Sequence, residues 1–138
     1  MVRTAGMIIG LALMTSACND TTTGPLADQA TAQFYQDLAA KDYHALYGLT
    51  SPEFRQVSTE SNFTGFLQRI DRKMGRCQAP VKTANWRVNY STNGVFRDQG
   101  YSRACANGVL TENISIVVRG GQAQIVGYHA DNPILLTD

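Results

Sequence analysis

The stretch Val109-Leu110-Thr111-Glu112-Asn113-Ile114-Ser115-Ile116-Val117-Val118-Arg119-Gly120-Gly121-Gln122-Ala123-Gln124-Ile125-Val126-Gly127-Tyr128-His129 decides the fold class of this chain. Val109 to Val118 is the most β-branched run in the sequence, and Gly120-Gly121 should turn it back into a further strand from Ala123 to His129. Upstream, Trp86, Val88 and Tyr90 alternate with Arg87 and Asn89, and Asn93-Gly94 is a hairpin signal. Another strand through Tyr101, Arg103 and Cys105 ends at Asn107-Gly108. Four strands joined by short glycine-containing turns predict an antiparallel meander.

Before the strands the apolar period is that of a helix. Leu26, Ala30, Phe34 and Leu38 recur every fourth residue as the stripe of a first helix. Asp42 is placed to cap a short helix carrying Tyr43, Leu46, Tyr47 and Leu49. Ser51-Pro52-Glu53 repeats the start signal with a hydroxyl cap, a proline in the first turn and an acid. Phe63, Phe66, Leu67, Ile70 and Met74 then follow at spacings of three and four, and Gly75 stands where a helix would end.

Helices first and strands afterwards predict an α+β domain spanning residues 26–138, with N-terminal helices packed on one face of a curved four-stranded antiparallel sheet. Periodicity assigns Phe34, Leu38, Phe63, Phe66, Ile70, Trp86 and Ile116 to the common core.

The N-terminus carries a different signal. Arg3 supplies a positive charge, Met7 to Met14 a short apolar run, and Thr15-Ser16-Ala17 small residues before Cys18. The apolar run is well below the ~20 residues of a spanning helix. The segment resembles the bacterial lipobox, in which the cysteine becomes the first mature residue and carries a diacylglyceryl group. Thr15 stands where such segments usually hold an aliphatic residue, and a secretory signal cleaved elsewhere is the alternative reading. Residues 1–17 are therefore expected to be a lipoprotein signal peptide and 18–25, polar and turn-rich, a tether. By the sorting rule for such proteins, Asn19 after the cysteine points to the outer membrane, while Asp20 at the next position weakens that reading.

Removing Cys18 from the 3 cysteines leaves Cys77 and Cys105, an even pair that an exported chain would oxidise to a disulfide. Closing the loop between them contributes roughly 3 to 4 kcal/mol in the chain-entropy model. With a net charge of +1 the chain has no strong electrostatic pull towards nucleic acid. Charge is nevertheless uneven, since Arg69, Arg72, Lys73, Arg76, Lys82 and Arg87 crowd the middle against Asp71 alone. Such a run can face headgroups or an acidic partner, or complement a helix C-terminus.

The element order, Asp42-Tyr43 to Leu49, Ser51-Pro52-Glu53-Phe54, Phe63-x-x-Phe66-Leu67-x-x-Ile70 and Gln124-Ile125-Val126-Gly127-Tyr128 resemble small bacterial envelope proteins of unknown function. Those are related to the nuclear-transport-factor-like, or cystatin-like, superfamily. The resemblance runs from about Ala27 to Ala130 and implies a cone-shaped fold; enzymes, binding subunits and immunity proteins share that fold, so it selects no activity.

Motifs of hydrolases, nucleotide-binding loops and zinc proteases are missing from the sequence, and the two histidines, His44 and His129, lie far apart. Glu112 alone breaks an apolar pattern, sharing a strand face with Leu110, Ile114, Ile116 and Val118. A carboxylate there could act as a general base, as in the isomerases of the superfamily it resembles, or could be a rim residue paired with Arg103 on the neighbouring strand. Tyr43, Tyr47, Tyr90 and Tyr128 are candidate pocket-lining residues. The expected function is a lipid-anchored binding or inhibitory module facing the periplasm and acting on a protein partner of the envelope. The alternative is a small acid-base enzyme, isomerase- or dehydratase-like, with Glu112 in its pocket. No cofactor, metal or nucleic acid is expected.

Overall fold

The computed structural model of the protein describes residues 20–137. The signal segment and Cys18 lie outside the described residues. Helices α1 (Asp20–Ala40), α2 (Tyr43–Gly48), α3 (Pro52–Val57) and α4 (Glu60–Met74) precede strands β1 (Val81–Ser91), β2 (Gly94–Cys105), β3 (Gly108–Arg119) and β4 (Gln122–Asp131). A 3-10 turn, Pro133–Leu136, follows. The strands pair antiparallel in chain order, as the meander reading expects.

Local chemistry explains most boundaries. The Asp42 carboxylate accepts from Ala45 N–H at 3.0 Å and the Ser51 hydroxyl from Phe54 N–H at 3.2 Å, each satisfying a donor that a helix start leaves open. Thr59 caps α4 in the same way, so the second start signal opens a separate short helix rather than continuing into the long one. Gly75 ends α4 at φ 71°, and Gly120 and Gly121, at φ 56° and 72°, form the tight turn between β3 and β4.

One face of the sheet is covered by α1 and the other helices. Ser115 pairs with Gly127 and Ile116 with Ile125, which leaves Val126 as the extra residue of a β-bulge. The bulge resets the alternation, so Ile125 and Tyr128 both turn to the helical side and join Phe34 in the core. At the same place Ile125 N–H donates to Leu49 C=O at 2.9 Å and Ser51 N–H donates to Ile125 C=O at 2.8 Å, stitching the α2–α3 link onto the edge of β4. Phe34, Leu46, Leu67, Ile114 and Ile125 are buried together, and Ile70, Met74 and Leu110 form a second cluster beneath the 3-10 turn.

Several expectations need correction. Asp20 to Pro25, expected as tether, are the opening turns of α1; Arg97 on β2 donates to the Thr23 hydroxyl at 3.2 Å, a tertiary contact that outweighs the turn-like composition. The expected stripe of α1 does pack on the core, Phe34 fully buried and Leu26, Ala30 and Leu38 partly so, but Ala27 and Thr31 are buried more deeply than those three, since strict fourfold spacing drifts off a helix face of 3.6 residues per turn. Phe66 is not a core residue; it is 39% exposed and only edges onto the Tyr128 ring, 6.0 Å between centroids. Trp86 leaves the core altogether at 66% exposed. Its facing is the expected one, because it pairs with Gln99 on the same side as Tyr101, but α1 lies over β3 and β4 and meets β1 at Lys82, which donates to Asp28 at 2.7 Å, leaving Trp86 exposed.

Candidate functional site

β3 carries Glu112 opposite Tyr101 of β2 and Ala130 of β4. Strand alternation then puts Arg103 and Tyr128 diagonally on either side of it, facing α1, and Tyr35 of α1 closes the cluster from above. Arg103 donates twice, Nε to Oε2 at 2.7 Å and Nη2 to Oε1 at 2.9 Å. The Tyr128 hydroxyl donates to Oε1 at 2.6 Å and the Tyr35 hydroxyl to Oε2 at 3.3 Å. The guanidinium also lies 5.4 Å from the centre of the Tyr35 ring, a cation–π contact.

Glu112's side chain is fully buried and that of Arg103 only 11% exposed, so the pair is a bidentate buried ion pair rather than a rim contact. Burial, and then the negative charge of Glu112, push the Tyr35 and Tyr128 hydroxyls well above their usual range. Both therefore stay protonated and serve as donors. Desolvation pulls the Arg103 guanidinium down, but its hydrogen bond to Glu112 and the attached charge outweigh that and hold it cationic.

Tyr35, Arg103 and Tyr128 form the inner wall of a cleft of about 830 Å³ between α1, α4 and the segment after Gly75. Leu38, Leu67, Ile70, Ala79 and Pro80 supply apolar surface, and Lys41, Asp71 and Arg76 supply charge at its rim. Asp71 is held by Lys41 at 2.9 Å. The Cys77 and Cys105 sulfurs stand at disulfide-bonding distance and tie that segment to the end of β2, helped by Gln78 N–H donating to Ala104 C=O at 2.8 Å. The cleft size falls within the range of small-molecule sites.

No family model matches the sequence, and no curated protein matches it. Among solved structures the chain resembles Aln2 from a Streptomyces species, with 10% identity and a TM-score of 0.55, over 83% of this chain and 93% of Aln2. A likeness at that identity concerns the fold alone. It agrees with an α+β cone and is compatible with the nuclear-transport-factor-like architecture.

The tyrosines singled out from sequence do not converge. Tyr43 and Tyr128 line the cleft. Tyr47 instead packs on Phe63, donates to Ser58 C=O at 3.0 Å and carries Arg55 over its ring. Tyr90 is 52% exposed on β1, for the same reason as Trp86. Tyr35 escapes sequence reasoning; it lies one position from Phe34 in the first helix, and its relation to Glu112 spans 77 residues, so no local pattern points to it. No group of metal-ligating side chains occurs among the described residues. Among them, too, no helix is long and apolar enough to cross a membrane.

Proposed function

We propose that the protein is a lipid-anchored binding module of the bacterial envelope, held at the outer membrane by a diacylglyceryl group on Cys18 and capturing a protein partner on its periplasmic side. The observation that carries this over the enzyme reading is the saturation of Glu112: four donors from three side chains occupy a carboxylate that solvent does not reach. A general base needs a lone pair aimed at substrate. Here the carboxylate instead orients Arg103, Tyr35 and Tyr128, which makes it a positioning residue for the wall of the cleft. At the cleft mouth Arg76, with Arg72 one turn before it, offers cations to an acidic partner.

Photocrosslinkers placed at Gln78 in the intact envelope test this reading. The expected result is a discrete partner adduct that weakens with Arg72→Glu and Arg76→Glu and persists with Tyr128→Phe. Loss of the envelope phenotype in a folded Tyr128→Phe protein that still captures its partner would favour the acid-base enzyme.

A further inference from the structure

The side of β1 that faces the helices meets α1 near the start of the strand, where Lys82 donates to Asp28 at 2.7 Å, and beyond that its aromatic side chains stay exposed. Trp86, Val88 and Tyr90 pair with Gln99, Arg97 and Val95, so they share one face, and Trp86 and Tyr90 remain 66% and 52% exposed. Neither the Trp86 indole N–H nor the Tyr90 hydroxyl has a hydrogen-bond partner among the described residues. A shallow groove separates this face from Ala27 and Asp28 of α1.

The start of α1 lies beside the same face. Arg97, the partner of Val88, donates to Thr23 at 3.2 Å, and a Cβ on Gly24 would sit 3.6 Å from the Arg97 guanidinium. Cys18 precedes Asp20 by two positions, a reach of at most about 7 Å. A diacylglyceryl group on Cys18 would therefore enter the bilayer from the end of α1 that Arg97, the partner of Val88 between Trp86 and Tyr90, contacts. Indole and phenol rings, apolar in body and polar at one end, are the side chains that settle at the headgroup level of a membrane. Around the groove Lys82 is paired with Asp28 at 2.7 Å, and Arg87 and Arg97 against Asp98 leave a small positive balance suited to anionic headgroups.

We propose that this aromatic face of β1 is a second membrane contact, docking the domain on the headgroup region of the bilayer that holds Cys18. The inference rests on the lipid-anchor reading above. A lipid on one residue holds a domain at the membrane without fixing its orientation, whereas a second contact fixes it. The cleft is lined by other residues, including Tyr35, Leu38 and Lys41 around the C-terminal end of α1 and Gly75 to Pro80, and shares none with this groove.

Trp86 is the sole tryptophan of the chain, so its fluorescence reads the contact directly. The full protein purified from envelopes, its Cys18 modification checked by mass spectrometry, is reconstituted in vesicles of phosphatidylethanolamine and phosphatidylglycerol, with and without bromines placed high on the acyl chains. The expected result is a blue-shifted emission that loses most of its intensity to the brominated lipid, and Tyr90→Ser should restore part of it. Acylated protein that floats with the vesicles while Trp86 stays unquenched overturns the docking and leaves the anchor standing. Unmodified Cys18 overturns the anchor, and the docking with it. A blue shift of the Cys18→Ser protein that grows with its concentration in the absence of vesicles overturns the docking in favour of a second copy on this face.

Discussion

Arg103 and Glu112 are joined across β2 and β3 without being register partners: Arg103 stands opposite Leu110, and its guanidinium reaches diagonally to the carboxylate one pleat further along. Sharing one face two positions apart lets the guanidinium lie side-on to both oxygens. With two tyrosine hydroxyls on the same carboxylate, no polar atom of the four residues is buried without a partner.

Glu112→Gln removes the charge that compensates a nearly buried guanidinium. The expected cost is about 3 kcal/mol or more in denaturant unfolding. Arg103→Met added to it should cost less than the sum of the two single changes, because the second substitution removes the orphaned cation. Strict additivity would show that the pair is not coupled.

Phe34 is fully buried between the Tyr35 and Tyr128 rings, with centroids at 5.3 and 5.2 Å. Phe34→Ala should cost about 3 to 5 kcal/mol. Phe66→Ala, at a site 39% exposed, should cost about 1 to 2 kcal/mol. Thermal or urea denaturation of both variants compares them, and a larger loss at Phe66 would contradict the burial pattern.

The Cys77–Cys105 link closes a loop that includes β1 and the hairpin to β2. Replacing both by Ser should lower stability by roughly 3 to 4 kcal/mol through the entropy of the unfolded chain. Peptide mapping without reductant should recover the linked pair from protein taken from the envelope. Two freely alkylated thiols in that sample would remove the bond from the account.

His44 shares a hydrogen bond with Glu60 at 2.7 Å on the surface, and that bond, followed by the carboxylate charge, raises the imidazole above its ordinary value of about 6.5. A raised value in the folded state means that the pair stabilises the fold fully below about pH 6.5 and ceases to do so as pH rises through the raised value. An NMR titration should place His44 above the ordinary value and return it there in Glu60→Gln. No difference between the two proteins would exclude the contact.

Local patterns determined the element order, the caps at Asp42 and Ser51, the stop at Gly75 and the four-strand meander, because hydrophobic period, capping hydroxyls and glycine turns act within a few residues. The alternation along β3 likewise put Glu112 on the apolar face of the sheet, leaving open whether inside it or at its rim. Only the tertiary structure decided what each face meets. Trp86 and Tyr90 have the periodicity of core residues, yet they stay exposed because the helical layer does not cover them, and periodicity records facing but not coverage. Tyr35 joined Glu112 for a similar reason: a hydrogen bond across 77 residues depends on how α1 is laid over the sheet. The turn-like residues from Asp20 to Pro25 became helix because Arg97, far away in the chain, holds Thr23 in place.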